Sequence, residues 1–307
     1  MKRIVLFLIL SILLLGCVED FNLKLKDAEP RLVVEGLITN KPGPYYVRLT
    51  KSIPGGVSSN TNLSYSTDNA EPVVDATVII TDDLNNADTL KAYKSADSKE
   101  IYYNQGFYET TKLKGIPGHT YHLWVIDEGN EYTASAYMSI VPEIDSIGYV
   151  KKISEKDGQE FYVPLISFKE PQGIDNYYLI QLKEDFYSRI YSSRQEWKFS
   201  ILSDTYLNPY VSNLNISTGA NPRSFQYWSY KEGDSIYVAL NSLTKEAYNY
   251  YKVLLDQFEN DGGAYKPTPS SPPTNISNGG LGLFRASAVS EKRTKIPSTN
   301  VNIWFMN

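Results

Sequence analysis

The chain has 307 residues, of which 42% are hydrophobic, and a formal net charge of −5. This length and hydrophobic content are sufficient for two domains with buried cores and exclude a disordered chain. No stripe of lysine and arginine occurs along the sequence, which argues against a nucleic-acid partner. Tyrosine is frequent, at 25 residues, beside 16 prolines and 19 glycines. Such a composition is typical of many short strands joined by turns.

The first 17 residues, MKRIVLFLILSILLLGC, have the organisation of an export signal. Lys2 and Arg3 form its positive end, and the 12 residues Ile4–Leu15 form an apolar stretch. As a helix, this stretch would be about 18 Å long, too short for a hydrocarbon core of about 30 Å. We therefore interpret residues 1–16 as a signal peptide and not as a membrane span.

Cysteine occurs once in the chain, at position 17. A single thiol excludes intrachain disulfides and cysteine clusters for zinc or iron–sulfur, so we predict no cofactor and no metal site. The preceding Leu14-Leu15-Gly16 resembles the lipobox of bacterial lipoproteins, in which the cysteine thiol receives diacylglycerol. We predict that Cys17 is acylated, and more than one acyl chain holds a protein stably in a membrane. The alternative is a plain signal peptide with an incidental cysteine.

The acidic pair Glu19-Asp20 follows the cysteine closely. It resembles the surface-export signal of Bacteroidetes-type lipoproteins, which implies a lipid-anchored location on the outer membrane with exposure at the cell surface. The alternative is an acidic tether that simply remains solvated. Residues 17–30 are predicted to form the lipidated tether between the membrane and the fold.

Alternation of β-branched and polar residues predicts strands over residues 31–142. In the segment Tyr45–Thr50, Tyr46, Arg48 and Thr50 share one face, and Val47 and Leu49 lie on the other. Glu128-Gly129-Asn130 predicts the turn of a hairpin, and residues 53–72 predict a long polar loop. The predicted strands are 31–38, 45–50, 73–81, 89–93, 101–110, 121–126 and 132–138. About seven strands at this spacing favour an immunoglobulin-like or related sandwich.

Residues 143–307 are predicted to form a second, β-rich domain with one prominent helix, after a boundary near Pro142. The helix is expected over Thr244–Phe258, because Ala247, Tyr251 and Leu254 recur at helical spacing. One or two of the tyrosines at 248, 250 and 251 should be exposed. Strands are expected near 146–152, 162–168, 176–183, 197–202, 235–240, 282–290 and 301–306.

Four stretches occur in a recognisable order: RLVVEGLITNKPGPYYVRLTKS, LKGIPGHTYHLWVIDEGNEYTASA, PEIDSI and a long run from LTKEAYNYYK to GLFRASAVS. Through these four stretches the chain resembles a Bacteroidetes family of outer-membrane lipoproteins, which is described only as a domain of unknown function (family 4249). The resemblance implies an immunoglobulin-like or carboxypeptidase-regulatory-like sandwich and a place beside a TonB-dependent receptor. It carries over no catalytic residues. Arg285 departs from the small residue that members tend to have there.

The two histidines, His119 and His122, are three residues apart, so on a strand their side chains point to opposite faces. This spacing favours surface positions over a shared metal ion, and no triad, P-loop or zinc-protease motif is found. Asp82, Asp83, Asn85 and Asp88 are oxygen donors in one loop, where turn formation is favoured over calcium binding.

Candidate binding residues are Tyr227, Trp228 and Tyr230, which lie beside the turn Lys231–Asp234. Aromatic faces with polar edges suit a glycan or peptide ligand and protein interfaces, and packing within a sheet is the alternative. The acids Glu184 and Asp185 give no further sign of a glycosidase site.

The sequence therefore predicts a protein without catalytic activity that binds a ligand or a receptor at a TonB-dependent outer-membrane transporter. A surface adhesin or structural envelope lipoprotein is the first alternative. A hydrolase with an unrecognised site is the second.

Overall fold

The computed structural model describes residues 29–53, 70–93, 105–154, 158–182, 199–216, 230–259 and 271–297. From residue 30 onward, the described residues belong to one compact unit. Within them the chain is mainly β with one long helix, which confirms the predicted fold class. No helix among these residues is long and apolar enough to cross a membrane.

The described strands follow one another along the chain as β1 (Leu32–Thr39), β2 (Tyr46–Lys51), β3 (Thr77–Asp82), β4 (Ala87–Thr89), β5 (Lys91–Ala92), β6 (Phe107–Glu109), β7 (Thr120–Asp127), β8 (Asn130–Tyr137), β9 (Ile144–Ile153), β10 (Glu160–Lys169), β11 (Tyr177–Gln181), β12 (Phe199–Ser203), β13 (Tyr210–Asn215), β14 (Ser235–Leu243), β15 (Leu281–Ser287) and β16 (Val289–Lys295). The helix α1 spans Lys245–Glu259, between β14 and β15.

Two sheets share one core in the N-terminal half and form the sandwich. Their strand orders are β15-β1-β2-β6-β5 and β4-β3-β7-β8. Alternate side chains of each strand point inward, as the two-residue period of a strand requires. The predicted alternation of β2 is confirmed, because Val47 and Leu49 are buried in this core. Other members of the core are Val34, Ile80, Tyr121, Leu123 and Phe284.

Strands β7 and β8 form the predicted hairpin. Asp127 pairs with Asn130, which leaves Glu128 and Gly129 as a two-residue turn. Both turn residues have positive φ, 50° and 80°, the conformation that matches the right-handed twist of the flanking strands. The hairpin therefore follows from local sequence.

The segment from Leu281 onward differs from the prediction of one strand over 282–290. The chain forms β15, changes sheets at Ala288 and continues as β16. Strand β15 pairs in parallel with β1, whereas β16 pairs with β14. At Gly282 φ is +90°, and an added Cβ would lie 2.1 Å from the carbonyl oxygen of Val34. Glycine is required there because any side chain would push β15 away from β1. The predicted domain boundary near residue 142 stays a prediction.

The C-terminal half adds two sheets, with strand orders β13-β10-β9 and β12-β11-β14-β16. Their shared core includes Ile166, Phe168, Tyr178, Ile236 and Val238. Strand β13 was not predicted, because its sequence YVSNLN buries only Val211 fully and lacks apolar alternation.

Helix α1 confirms the predicted helix within one residue at each end. Ala247 is buried in a small core with Leu179, Phe199, Leu243 and Leu283. The expectation that one or two of its tyrosines would be exposed is wrong. Tyr248, Tyr250 and Tyr251 are all partly buried, because this core draws on residues from β11, β12, β14 and β15 around the helix. Tyr248 packs on Tyr177 at 5.0 Å between ring centroids.

Candidate functional site

Most of the sequence-predicted site residues lie outside the described residues. These are the lipidation site Cys17, the export pair Glu19 and Asp20, the aromatic pair Tyr227 and Trp228, and the acids Glu184 and Asp185.

Tyr230 is the predicted binding residue that the structure places. Two backbone hydrogen bonds, of 2.8 and 2.9 Å, join it to Tyr162, and its hydroxyl is 3.5 Å from the carbonyl oxygen of Leu182. The ring packs against the C-terminal core. Burial, with the nearby Asp234, raises the pKa of Tyr230 to about 12. The described contacts of Tyr230 are therefore those of a packing residue.

The two histidines are bound separately. His119 Nδ1 lies 2.7 Å from Asp83 Oδ1, and His122 Nδ1 lies 2.7 Å from the hydroxyl of Ser135. Across the described part of the chain, no three His, Cys, Asp or Glu side chains are placed to hold one metal ion.

The acidic residues from the end of β3 to β4 accept hydrogen bonds from other residues of the fold. Asp82 accepts from the backbone amides of Leu84 and Asn86, at 3.0 and 2.8 Å. Asp88, which is 1% exposed, accepts from the backbone amides of residues 111–113 at 2.8–2.9 Å and from the Thr111 hydroxyl at 2.6 Å. Asp82 organises the turn after β3, as the sequence predicted. The placement of Asp88 in the same loop is wrong, because it lies in β4 and holds the backbone of residues 111–113.

A cleft of about 250 Å³ lies between β8, β15 and the first turn of α1. Strands β8 and β15 are neighbouring edges of the two sandwich sheets. The polar residues along the cleft are Thr120, Ser135, Thr244, Glu246, Asn275 and Arg285. Apolar surface along it comes from Tyr137, Ala247, Leu283 and Phe284, among others.

Asn275 fixes one wall of this cleft. Its side-chain nitrogen donates to the carbonyl oxygens of Ser135, at 3.0 Å, and Phe284, at 2.7 Å. Its side-chain oxygen accepts from the amide of Phe284 at 3.0 Å. Two residues further on, the amide of Ser277 donates to the carbonyl of Thr133 at 2.9 Å. The segment that carries Asn275 thus fastens β8 to β15.

The first turn of α1 forms another side of the cleft. The Thr244 hydroxyl accepts from the amide of Ala247 at 3.2 Å, the hydrogen bond of an N-cap. The positive end of the helix dipole therefore lies at the cleft. Glu246 is exposed and, among the residues that line the cleft, is the one with a carboxylate.

Arg285 is the most unusual residue of the cleft, because it is a cation with only 5% of its surface exposed. Its Nη1 donates to the Ser287 hydroxyl at 2.7 Å, and its guanidinium carbon lies 5.6 Å from the centroid of the Tyr251 ring. No ion pair joins it to a carboxylate of the described residues. The sequence signal was an arginine where members of the resembling family tend to have a small residue, directly after LGLF.

Fold and cleft define a mainly β protein with a sandwich and a small cleft at the edge of its two sheets. The chain belongs to the family described as Domain of unknown function (DUF4249), whose family model matches residues 18–293. No curated protein and no solved structure matches the chain.

Proposed function

We propose that the protein is a lipid-anchored accessory component of an outer-membrane nutrient-uptake system. In this role it binds a ligand or a TonB-dependent receptor and catalyses no reaction. The observation that carries the proposal is the position of the only cysteine in the chain. Cys17 directly follows a positive end, an apolar stretch and a glycine, the arrangement of a lipoprotein signal. Several acyl chains on this residue would hold the folded body at the membrane.

Exposure at the cell surface forms part of the proposal. It is supported by Glu19 and Asp20, which follow Cys17 by two and three positions. Such a location would put the sandwich outside the cell, where it meets nutrients before the transporter does.

The residues that line the cleft agree with a binding role. Hydroxyl, amide and guanidinium groups line it beside apolar surface, which is the mixture found in sites for small ligands. Glycosidase chemistry requires two carboxylates facing one bond, and of the residues along this cleft Glu246 alone carries a carboxylate. The cleft therefore favours ligand binding over glycosidase chemistry.

The test is affinity purification of the tagged protein from detergent-solubilised outer membrane of its native host. We expect an acylated N-terminal peptide in the mass spectrum and a co-eluting TonB-dependent receptor. The variant Cys17→Ala should lack the acyl mass and leave the membrane fraction. Val18→Ala is the matched control, because it changes the neighbouring residue and keeps the thiol.

Two outcomes would contradict the proposal. An unchanged mass and unchanged membrane association of Cys17→Ala would remove the anchor and the location that depends on it. An acylated protein that is digested by protease added to intact cells, but never co-purifies with a receptor, would favour a surface adhesin instead.

A further inference from the structure

We propose that the cleft beside β15 binds a carboxylate group, with the guanidinium of Arg285 as its charge partner. This inference rests on the proposed binding role and names the chemical class of the ligand. The carboxylate belongs either to a small organic acid or to the C-terminal end of a peptide, since the same group would be recognised in both.

The first argument is the buried charge of Arg285. Removal of a cation from water is unfavourable unless an opposite charge or a full set of hydrogen bonds replaces the lost hydration. Arg285 has one neutral hydroxyl, that of Ser287, and the face of Tyr251. A guanidinium has five N–H donors, and most of those of Arg285 have no acceptor among the described residues. Among the residues that the structure describes, none supplies the counter-charge of this cation.

The second argument is that Arg285 keeps access to open space. Within the described residues, no buried side-chain nitrogen or oxygen lacks a hydrogen-bond partner. The hydrogen bond of Arg285 accounts for Nη1, so the remaining N–H groups of the guanidinium are not sealed inside the protein. Arg285 is also one of the residues that line the cleft. The ligand in our proposal meets the N–H groups that Ser287 and Tyr251, which do not line the cleft, leave uncovered.

Two described acids near the cleft, Glu35 and Glu246, do not act as the counter-charge of Arg285. Glu35 lies on β1, the strand beside β15, but its Oε2 pairs with Nη1 of Arg48 at 3.4 Å. Glu246 lines the cleft and forms no ion pair with Arg285. Its charge opposes anion binding and will weaken it, and the N-terminal end of α1 acts in the opposite direction.

The other groups of the cleft fit a carboxylate on a small apolar body. The Thr244 hydroxyl accepts from Ala247 and keeps its own proton for donation. Leu283, Phe284 and Tyr137 supply apolar surface. At about 250 Å³, the cleft is below the range of about 300–1,000 Å³ typical of drug-sized ligands. It therefore suits a small acid or a single terminal residue.

The experiment measures binding to the mature, full-length lipoprotein purified in detergent. The probes are benzoate and a blocked tripeptide with a free C-terminal carboxylate, and benzamide and the amidated tripeptide are their neutral counterparts. Isothermal titration calorimetry and the shift in unfolding temperature are the readouts. We expect saturable binding of at least one acid and none of the neutral forms. A preference for benzoate or for the peptide distinguishes the two sources of the carboxylate.

Arg285→Gln should weaken this binding at least about tenfold, because charge-assisted hydrogen bonds are lost, and Arg285→Lys should retain part of it. The matched control is Arg293→Gln. Arg293 also stacks on a tyrosine, at 5.5 Å from the Tyr237 ring, but it is exposed on β16. This control should bind the acid as the wild-type protein does. Circular dichroism and the unfolding temperature show that each variant is folded.

Three results would overturn the inference: equal binding of acid and amide, no saturable binding of either acid at millimolar concentration, or unchanged binding in a folded Arg285→Gln variant. These results are independent of the receptor experiment. Loss of carboxylate binding with intact receptor co-purification would remove this inference alone. Carboxylate binding without a receptor would remove the transporter role alone.

Discussion

Buried charges are treated differently in two regions of the molecule. In the sandwich they are matched: Asp88 receives four hydrogen bonds, and buried Asp127 forms an ion pair with Lys51. Two other buried charged side chains, one in the C-terminal half and one where β15 packs against α1, have fewer hydrogen bonds than Asp88 and no ion pair among the described residues. Arg285 is one, and Glu170, which is 2% exposed, is the other. The matched charges hold the fold together, whereas the unmatched ones suggest another role.

The pKa shifts of two carboxyls follow this division. Burial opposes ionisation of Asp88, but the Thr111 hydroxyl and the amides of residues 111–113 outweigh it and lower its pKa. Burial dominates at Glu170 and raises its pKa, although Tyr178 and Asn176 donate hydrogen bonds to it. The Tyr178 hydroxyl lies 2.9 and 3.0 Å from the two Glu170 oxygens. The fold thus favours ionised Asp88 and protonated Glu170.

The largest effect is expected from Asp88→Asn, which would break the matched arrangement. The three backbone amides at Asp88 Oδ2 lose their negatively charged acceptor, and we expect a loss of about 2–3 kcal/mol in the free energy of unfolding. Urea denaturation at pH 7 measures it. Because the pKa of Asp88 is lowered on folding, its contribution is present at neutral pH and is lost on acidification. The difference between variant and wild type should therefore shrink as the pH falls.

The control for this change is Asp83→Asn in the turn that precedes β4. Asp83 also accepts hydrogen bonds, from Thr120 and His119, but its side chain is 40% exposed. We expect Asp83→Asn to lower the free energy of unfolding clearly less than Asp88→Asn does. Equal losses would show that burial does not distinguish the two carboxylates.

A smaller effect, with the opposite sign, is expected from Glu170→Gln. The raised pKa means that the wild type loses stability as the pH rises through the folded-state pKa of Glu170. Glutamine stays neutral, keeps an acceptor for Asn176 and can donate to the Tyr178 oxygen. We expect a gain on the order of 1 kcal/mol at pH 8 that disappears near pH 4, measured by urea denaturation.

Glu160→Gln on β10 is the control for the Glu170 prediction. Glu160 is about half exposed and pairs with Lys151 at 2.6 Å. Its replacement should not raise stability at pH 8. A Glu170→Gln variant that is less stable than the wild type at every pH would mean that the carboxylate is ionised and matched after all.

The smallest effect is expected from Arg285→Met without ligand. Removal of a buried charge that lacks a counter-charge is often neutral, so we expect a change within about 1 kcal/mol in the free energy of unfolding. Chemical denaturation measures the free energy of unfolding of Arg285→Met, with Arg293→Met as its control. A loss of about 3 kcal/mol or more would place Arg285 among the matched, structural charges and would contradict the comparison drawn above.

Prediction from sequence succeeded where the determining interactions are local. Strands β1 and β2, the β7–β8 hairpin and α1 were found within a few residues, because alternation, turn residues and helical spacing are read within one short window. Asp82 was correctly assigned to a turn for the same reason, whereas Asp88 lies in β4 and binds residues 111–113, more than 20 positions away in the chain. Arg285 was singled out from the sequence only because it departs from the small residue that members of the resembling family tend to have there.

Tertiary structure alone decided the rest. Pairing of β15 with β1, the change of sheet at Ala288 and the cleft between Ser135, Thr244 and Arg285 join segments that are far apart in the chain. No local period specifies which distant edge a strand will meet, or whether a buried charge will find its counter-charge there. The sequence by itself therefore determined the strands, the helix and the lone cysteine. Contacts between distant residues decided where β15 lies and buried Arg285 with no acidic partner in the described part of the chain.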